Sequence, residues 1–273
     1  MAEAGAPRIL ITNDDGARAE GLKVLEEIAR TFTDDVWIVA PELDQSGVSH
    51  AVSLHEPLRV HHEDERRMFV RGTPADCVLL GIEHLVKGKK PDLVLAGVNR
   101  GGNMADAIAY SGTVGGAMTA LAMKTPSIAL SQLYRDPKVL HWETARRFAP
   151  SLIARLMQIE WPQAVCYNVN FPACPPQEVA GVVFARPAHG MISGVDVDAR
   201  VDVRGGAYHW ITFRRATETI DDPDSDIVGL RNNKITITPL RPDRHAEPDW
   251  SEMNALAGLQ LTEWFAGLGA TER

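Results

Sequence analysis

The chain has 273 residues, of which 45% are hydrophobic and 23% charged, and its formal net charge is -8. That balance rules out disorder, collagen and coiled coil as the main description and leaves enough apolar residues for a sizeable core. So acidic a chain repels phosphates at long range, which argues against general binding of nucleic acid or anionic membrane. A single bound phosphate would need a local positive element.

Three cysteines, Cys77, Cys166 and Cys174, show no CxxC spacing. Residues 1–7 lack a basic stretch followed by an apolar one, and no apolar run approaches the ~20 residues that span a bilayer. The expectation is a cytoplasmic protein with reduced thiols.

In chain order, residues 8–12 read as a strand ending in the turn Asn13-Asp14-Asp15-Gly16. Leu22, Leu25, Ile28, Ala29 and Phe32 recur at helical spacing. A second strand follows at 36–39, then a Gly/Ser-rich loop over 44–50. Residues 58–60 and 68–70 can pair as a small antiparallel excursion. Pro74 opens a helix through Leu85, and 91–96 form another buried strand before a Gly/Asn-rich loop at 97–103. A helix over 111–124 and a strand over 126–130 come next. Strands alternating with helices predict a mainly parallel sheet covered on both faces. A further helix around Trp142 to Leu156 and a strand at 165–171 complete this part.

From about residue 174 to 226, extended stretches such as 182–185 and 208–213 are separated by loops rich in Gly, Pro and Asp, which suggests an antiparallel appendage. The run Asp221-Asp222-Pro223-Asp224-Ser225-Asp226 reads as a solvated loop. It lacks the ligand spacing and the Gly of a calcium loop. Residues 235–239 form a last strand. The final helix has Asp249 and Glu252 in capping-box positions and a heavy apolar face that includes Trp250, Leu261 and Trp264, so it must dock on its own chain or a partner.

Four segments could carry chemistry. Asn13-Asp14-Asp15-Gly16 follows a strand, where ligands bind in open α/β sheets. Two adjacent carboxylates repel when ionised, and a hard divalent cation would relieve them; the same residues also make a good turn. In the 97–103 loop, Asn99 offers a carbonyl oxygen to a metal and Asn103 an amide to an anion, although a plain flexible loop would have the same composition. Ser111-Gly112-Thr113 can cap a helix and expose first-turn amides to an anion, which would supply the local positive element, or it can be capping alone. Ser46 could complete a metal shell. Gly47-Val48-Ser49-His50-Ala51 only echoes a nucleophile elbow, because extended chain, not a helix, follows Ser49. No P-loop, zincin or dinucleotide fingerprint is present in the sequence.

Taken together, the segments resemble the SurE family, the stationary-phase survival proteins that act as 5′-nucleotidases. The matching stretches are 11–16, 46–50 with 58–60, 72–78, 99–103, 110–114, 170–172 and 237–240. The resemblance covers residues 8–245 and implies an α/β, Rossmann-like, mainly parallel three-layer core over 1–172. It implies an extended β-rich arm and oligomerisation segment over 173–245, with its last strand returning toward the core, and leaves a C-terminal helix over 246–273. It implies a divalent-metal-dependent phosphomonoesterase acting on nucleoside 5′-monophosphates, with 3′-monophosphates and polyphosphate as further candidates, in a homodimer or dimer of dimers, with neither nucleic acid nor membrane as a partner. One Mg²⁺ or Mn²⁺ per subunit would be held by Asp14, Asp15, Ser46 and Asn99. Phosphate would be held by Asn103, Ser111, Gly112 and Thr113, and Asp14 and Asn103 would be catalytic. The family often has Gly near 105 and Asp near 107, where this chain has Ala105 and Ala107. A Gly-Tyr before the last strand is replaced by Asn233-Lys234, and a Thr-Arg pair by Ala185-Arg186.

Two other function classes stay open, the first using the same pocket. A non-catalytic nucleotide-binding regulator would bind without metal-dependent turnover. A serine hydrolase built on Ser49 and His50 would resist EDTA.

Overall fold

The apolar run after Arg8 becomes strand β1 (Ile9–Thr12), buried at every position, as a strand covered on both faces must be. The computed structural model of the chain describes residues 6–159, 161, 164–217 and 220–243. Helix α1 (Glu20–Arg30) buries Leu22, Leu25, Ile28 and Ala29, the residues that recur at helical spacing. Strand β2 (Val36–Pro41) is wholly buried. The excursion β3 (Arg59–His62) and β4 (Arg67–Arg71) pairs antiparallel, and β4 also lies parallel to β2. Helix α2 (Pro74–Leu80) opens on a capping box of Thr73 and Asp76, with Pro74 in its first turn, and continues as a π-helical turn to Leu85.

Strand β5 (Leu93–Arg100) runs further than expected. Residues 97–100, read from composition as loop, belong to the strand, and Asn99 and Arg100 resume pairing with the neighbouring strand β6 (Ser127–Gln132) after an irregularity between Ala96 and Asn99. Such a break re-aims the side chains beyond it. Helix α3 (Gly112–Ala122) starts on Ser111, and α4 (Trp142–Gln158) precedes the buried strand β7 (Cys166–Phe171).

The remaining described elements are β8 (Gly181–Phe184), β9 (Ile192–Val201), β10 (Ala207–Arg215), α5 (Asp226–Arg231) and β11 (Lys234–Leu240). Among the described residues the main sheet has nine strands in the order β3-β4-β2-β1-β5-β6-β7-β11-β8. From β4 to β7 the strands are parallel; β11 returns antiparallel to β7. Helices α1 and α4 pack together, and α2 packs on α3. The large apolar cluster joins α1 and α4 to the sheet, and a second cluster lies around α2, so the architecture is the expected three-layer α/β.

Two readings are corrected. Residues 181–184 do not belong to the antiparallel appendage: β8 extends the main sheet, parallel to β11. Only β9 and β10 form a separate antiparallel ribbon. The acidic run does not end in solvent. Ser225 caps α5, a helix the sequence analysis missed, and Asp226 is fully buried. The C-terminal helix expected around Trp250 to Leu268 lies outside the described residues. The described elements belong to one compact unit that ends at Pro242. No helix among the described residues is long and apolar enough to cross a membrane, and the three cysteines are free and buried.

Candidate active site

The strand order reverses between β1 and β5: β2 and β4 lie on one side, β6 and β7 on the other. In open α/β sheets ligands bind in the crevice outside the carboxyl ends of the strands at such a switch point. Asp14 and Asp15 leave β1 there, and Asn99 stands at the end of β5.

Asp14 is buried, with 4% of its surface exposed. Its Oδ1 accepts a 2.5 Å hydrogen bond from the Thr113 hydroxyl. Burial pushes its pKa up to about 7; the Thr113 bond opposes the rise and the Asp15 charge adds to it. Asp15 is also raised, first by burial and then by the charge of Asp44, against a 3.0 Å bond from the Arg100 backbone N–H to its Oδ2. The Arg100 guanidinium is held elsewhere, on the Pro137 carbonyl at 2.7 Å and 5.6 Å from the Tyr134 ring centroid. Two neighbouring carboxylates are thus desolvated without a side-chain cation bonded to either.

The segments that carry the other expected ligands are bonded to this pair through the backbone N–H groups of Gln45 and Arg100. Asn99 donates its amide to the Gly101 carbonyl at 2.9 Å, which leaves Oδ1 available. The Gln45 N–H donates to the Asp14 carbonyl at 2.7 Å and so fixes the loop that carries Ser46, itself exposed. Asn13, next to the carboxylates, turns its amide onto the Gly16 carbonyl and leaves a buried Oδ1 with no partner. Among the described residues no three His, Cys, Asp or Glu side chains cluster as a metal site. A cation here would therefore rest on two carboxylates and neutral oxygens, a donor set suited to a hard ion. On these observations the residues present fit a divalent metal.

The anion side is built from α3. Ser111 Oγ accepts from the Val114 N–H at 3.1 Å. The first-turn amides have no intrahelical acceptor, and the helix dipole adds to their positive potential. Gly112 sits so close that a Cβ on it would lie 2.8 Å from Asp14 Cβ and 3.0 Å from its Oδ2. Asp14 and the start of α3 therefore share one wall.

Asn103 stands across β5 from this wall. Its amide donates to Ser131 Oγ at 2.9 Å, which uses one of two N–H bonds. Its backbone is held at both polar atoms: the N–H by Asn170 Oδ1 at 2.8 Å, the carbonyl by the amides of Asn168 at 2.7 Å and Asn170 at 2.9 Å. Ser131, Asn168 and Asn170 were given no role by the sequence analysis. The signal was available: two asparagines alternate on a strand buried at every position, and buried amides require partners.

The Ser49 hydroxyl donates to the Ala109 carbonyl at 2.6 Å, and Ser49 has φ +56°. It serves to fix the loop against the segment before Ser111, and its proton is directed at a carbonyl. Asn233 adopts φ +54°, a left-handed conformation that Asn tolerates. Ala105 also has positive φ, +50°.

The family profile described as Survival protein SurE matches residues 9–193. The chain belongs to the SurE family. It is 49% identical over 257 residues to the 5′-nucleotidase SurE of Brucella canis, an alignment covering 93% of this chain and 99% of that protein. The 5′-nucleotidase SurE of Brucella melitensis matches equally. Among solved structures, the SurE protein of Aquifex aeolicus superposes with a TM-score of 0.76 at 31% identity, covering 92% of this chain and 98% of that one. In this SurE chain residues 13–16 and 110–114 together build one wall of the crevice.

Proposed function

We propose that this SurE protein is a divalent-metal-dependent phosphomonoesterase that hydrolyses nucleoside 5′-monophosphates to nucleoside and phosphate. The observation that carries the reading is the desolvated Asp14/Asp15 pair set against the first turn of α3 at the switch point. Asp14, Asp15, Ser46 and Asn99 would hold one Mg²⁺ or Mn²⁺. When bound, the ion would supply charge to a phosphoryl oxygen and acidity to a water.

The chain's own groups do the rest. The remaining Asn103 N–H and the amides of Gly112 and Thr113 would donate to the other phosphoryl oxygens, with Ser111 keeping the helix start in place. Such preorganised donors act where charge develops, which is most of what phosphoryl transfer asks of a protein. Asp14 Oδ1 is engaged by Thr113, so Oδ2, beside Gly112, is the oxygen free to order the attacking water or to attack phosphorus itself. Trapping a phosphorylated Asp14 would identify the second route.

The ribbon of β9 and β10 supports a homodimer or dimer of dimers. Val195, Val197, Val201, Ile211 and Phe213 alternate onto one face and stay exposed. Such a face calls for a second copy of the chain. Free, buried cysteines are consistent with a cytoplasmic setting.

The test is phosphate release from a panel of nucleoside 5′- and 3′-monophosphates and polyphosphate. EDTA should abolish it and Mg²⁺ or Mn²⁺ restore it. Asp15→Asn should lose it at any accessible metal concentration. Turnover that resists EDTA, or an active Asp15→Asn enzyme, would overturn the reading.

A further inference from the structure

Asn103 and Ser111, both on the phosphate side of the crevice, are joined by residues 104–110. The Asn103 end of that link is tied to a residue outside the site. Asp226 Oδ2 accepts the Ala105 N–H at 2.8 Å. Its Oδ1 accepts the N–H of Ala188 at 3.1 Å and of Ile227 at 2.8 Å. The Asp226 N–H donates to the Arg186 carbonyl at 2.9 Å. One buried carboxylate thus joins the active-site link, the chain leading into the β9–β10 ribbon, and the start of α5.

The position of the tie matters. Asn103 is fixed from the β7 side through Asn168 and Asn170. Two residues on, Ala105 is held at φ +50°, which costs an alanine roughly 1 kcal/mol and persists only where surroundings impose it. The Asp226 bond supplies that constraint. We propose that Asp226 is a positioning residue for phosphate binding: it locks Ala105, and thereby the Asn103 amide, at the root of the ribbon. This rests on the reading of Asn103 as a phosphate ligand.

Asp226→Asn is the discriminating change. The amide oxygen can keep Ala188 and Ile227, whereas its NH₂ meets the Ala105 N–H donor to donor. In the full-length, metal-loaded protein, KM for a nucleoside monophosphate and Ki for inorganic phosphate should rise together by about tenfold, the effect of losing one buried hydrogen bond. The metal Kd should not change. Asp222→Asn, an exposed neighbour that pairs with Arg186, should leave both constants alone. A purely structural role would lower the folded fraction and leave KM and Ki as they were, and that result overturns the proposal.

If Asp226→Asn does not fold, hydrogen exchange on the wild type decides. Saturating phosphate with Mg²⁺ should slow exchange at the Ala105 and Ala188 amides, since coupling is reciprocal; no protection overturns the proposal. A wild type that hydrolyses no phosphomonoester would overturn the function itself. An active wild type with an unchanged Asp226→Asn would remove only the tie.

Discussion

Replacing Asp14 by Asn should stabilise the metal-free protein while abolishing its activity. The carboxyl is carried from its ordinary 3.8 to about 7 by burial. At roughly 1.4 kcal/mol for each tenfold change in proton affinity, that displacement is worth at most about 4 kcal/mol. Water entering on ionisation returns part of this, so a gain of about 1–3 kcal/mol is expected. The sign follows from the raised value. Below pH 3.8 both folded and unfolded chains carry the proton and the two proteins match. Between 3.8 and about 7 the wild type alone is penalised, increasingly, and above 7 the penalty is constant. Asparagine keeps an oxygen for the Thr113 hydroxyl and removes the repulsion with Asp15. Urea unfolding in EDTA from pH 4 to 8 measures the difference. An Asn variant less stable than wild type at pH 8 would refute the account of Asp14 as an uncompensated charge.

Thr113→Val removes the hydroxyl that holds Asp14 down, so the carboxyl should titrate higher in metal-free protein and metal binding should shift to higher pH; carboxyl NMR reads it, and Thr113→Ser should restore it. Gly112→Ala places a methyl 2.8–3.1 Å from Asp14 and the Gln45 carbonyl; kcat/KM should fall at least tenfold, with about 1–3 kcal/mol lost in urea unfolding. Ala105→Gly should cost nothing or gain up to about 1 kcal/mol, against the ordinary loss for Ala→Gly, because φ is +50° there. Ile211→Glu, in the middle of the exposed apolar face of the ribbon, should yield monomers by light scattering; unaltered mass would place the subunit contact elsewhere.

The parallel core was legible because its strands are short apolar runs closed by turns and its helices carry regular apolar stripes, as in β1 and α1. Asp14 and Asp15 were legible for a local reason: a strand end and two adjacent carboxylates are both visible within six residues. What escaped depends on distant partners. Residues 97–100 look like loop from Gly97 and the glycines that follow, and Asn99 and Arg100 become strand only because β6 is there to pair with them. Residues 181–184 look like appendage until β11, some fifty residues later, supplies an edge. Asp226 sits in an acidic run that composition assigns to water, and its burial is decided by the amides of Ala105 and Ala188.

The molecule shows two ways to bury a carboxylate, and the contrast separates tether from site. Asp76 takes the N–H groups of Ser53 and Thr73, and Asp226 those of three residues. Each is supplied with donors by the backbone itself, which at Asp226 oppose but do not cancel the rise that burial causes, so each can hold segments together without a ligand. Asp14 receives the Thr113 hydroxyl, with smaller help from the backbone of Asp14 and Thr113, and faces a second carboxylate, while Asp15 receives one backbone amide and sees the charges of Asp44 and Arg100. A fold that needed only a turn after β1 could place an asparagine at either position and lose nothing. Keeping two under-compensated carboxylates at a switch point costs stability that a cation would return. On the proposed function, the same acidity that repels polyanions at a distance would, once it holds a cation, become a place for one phosphate.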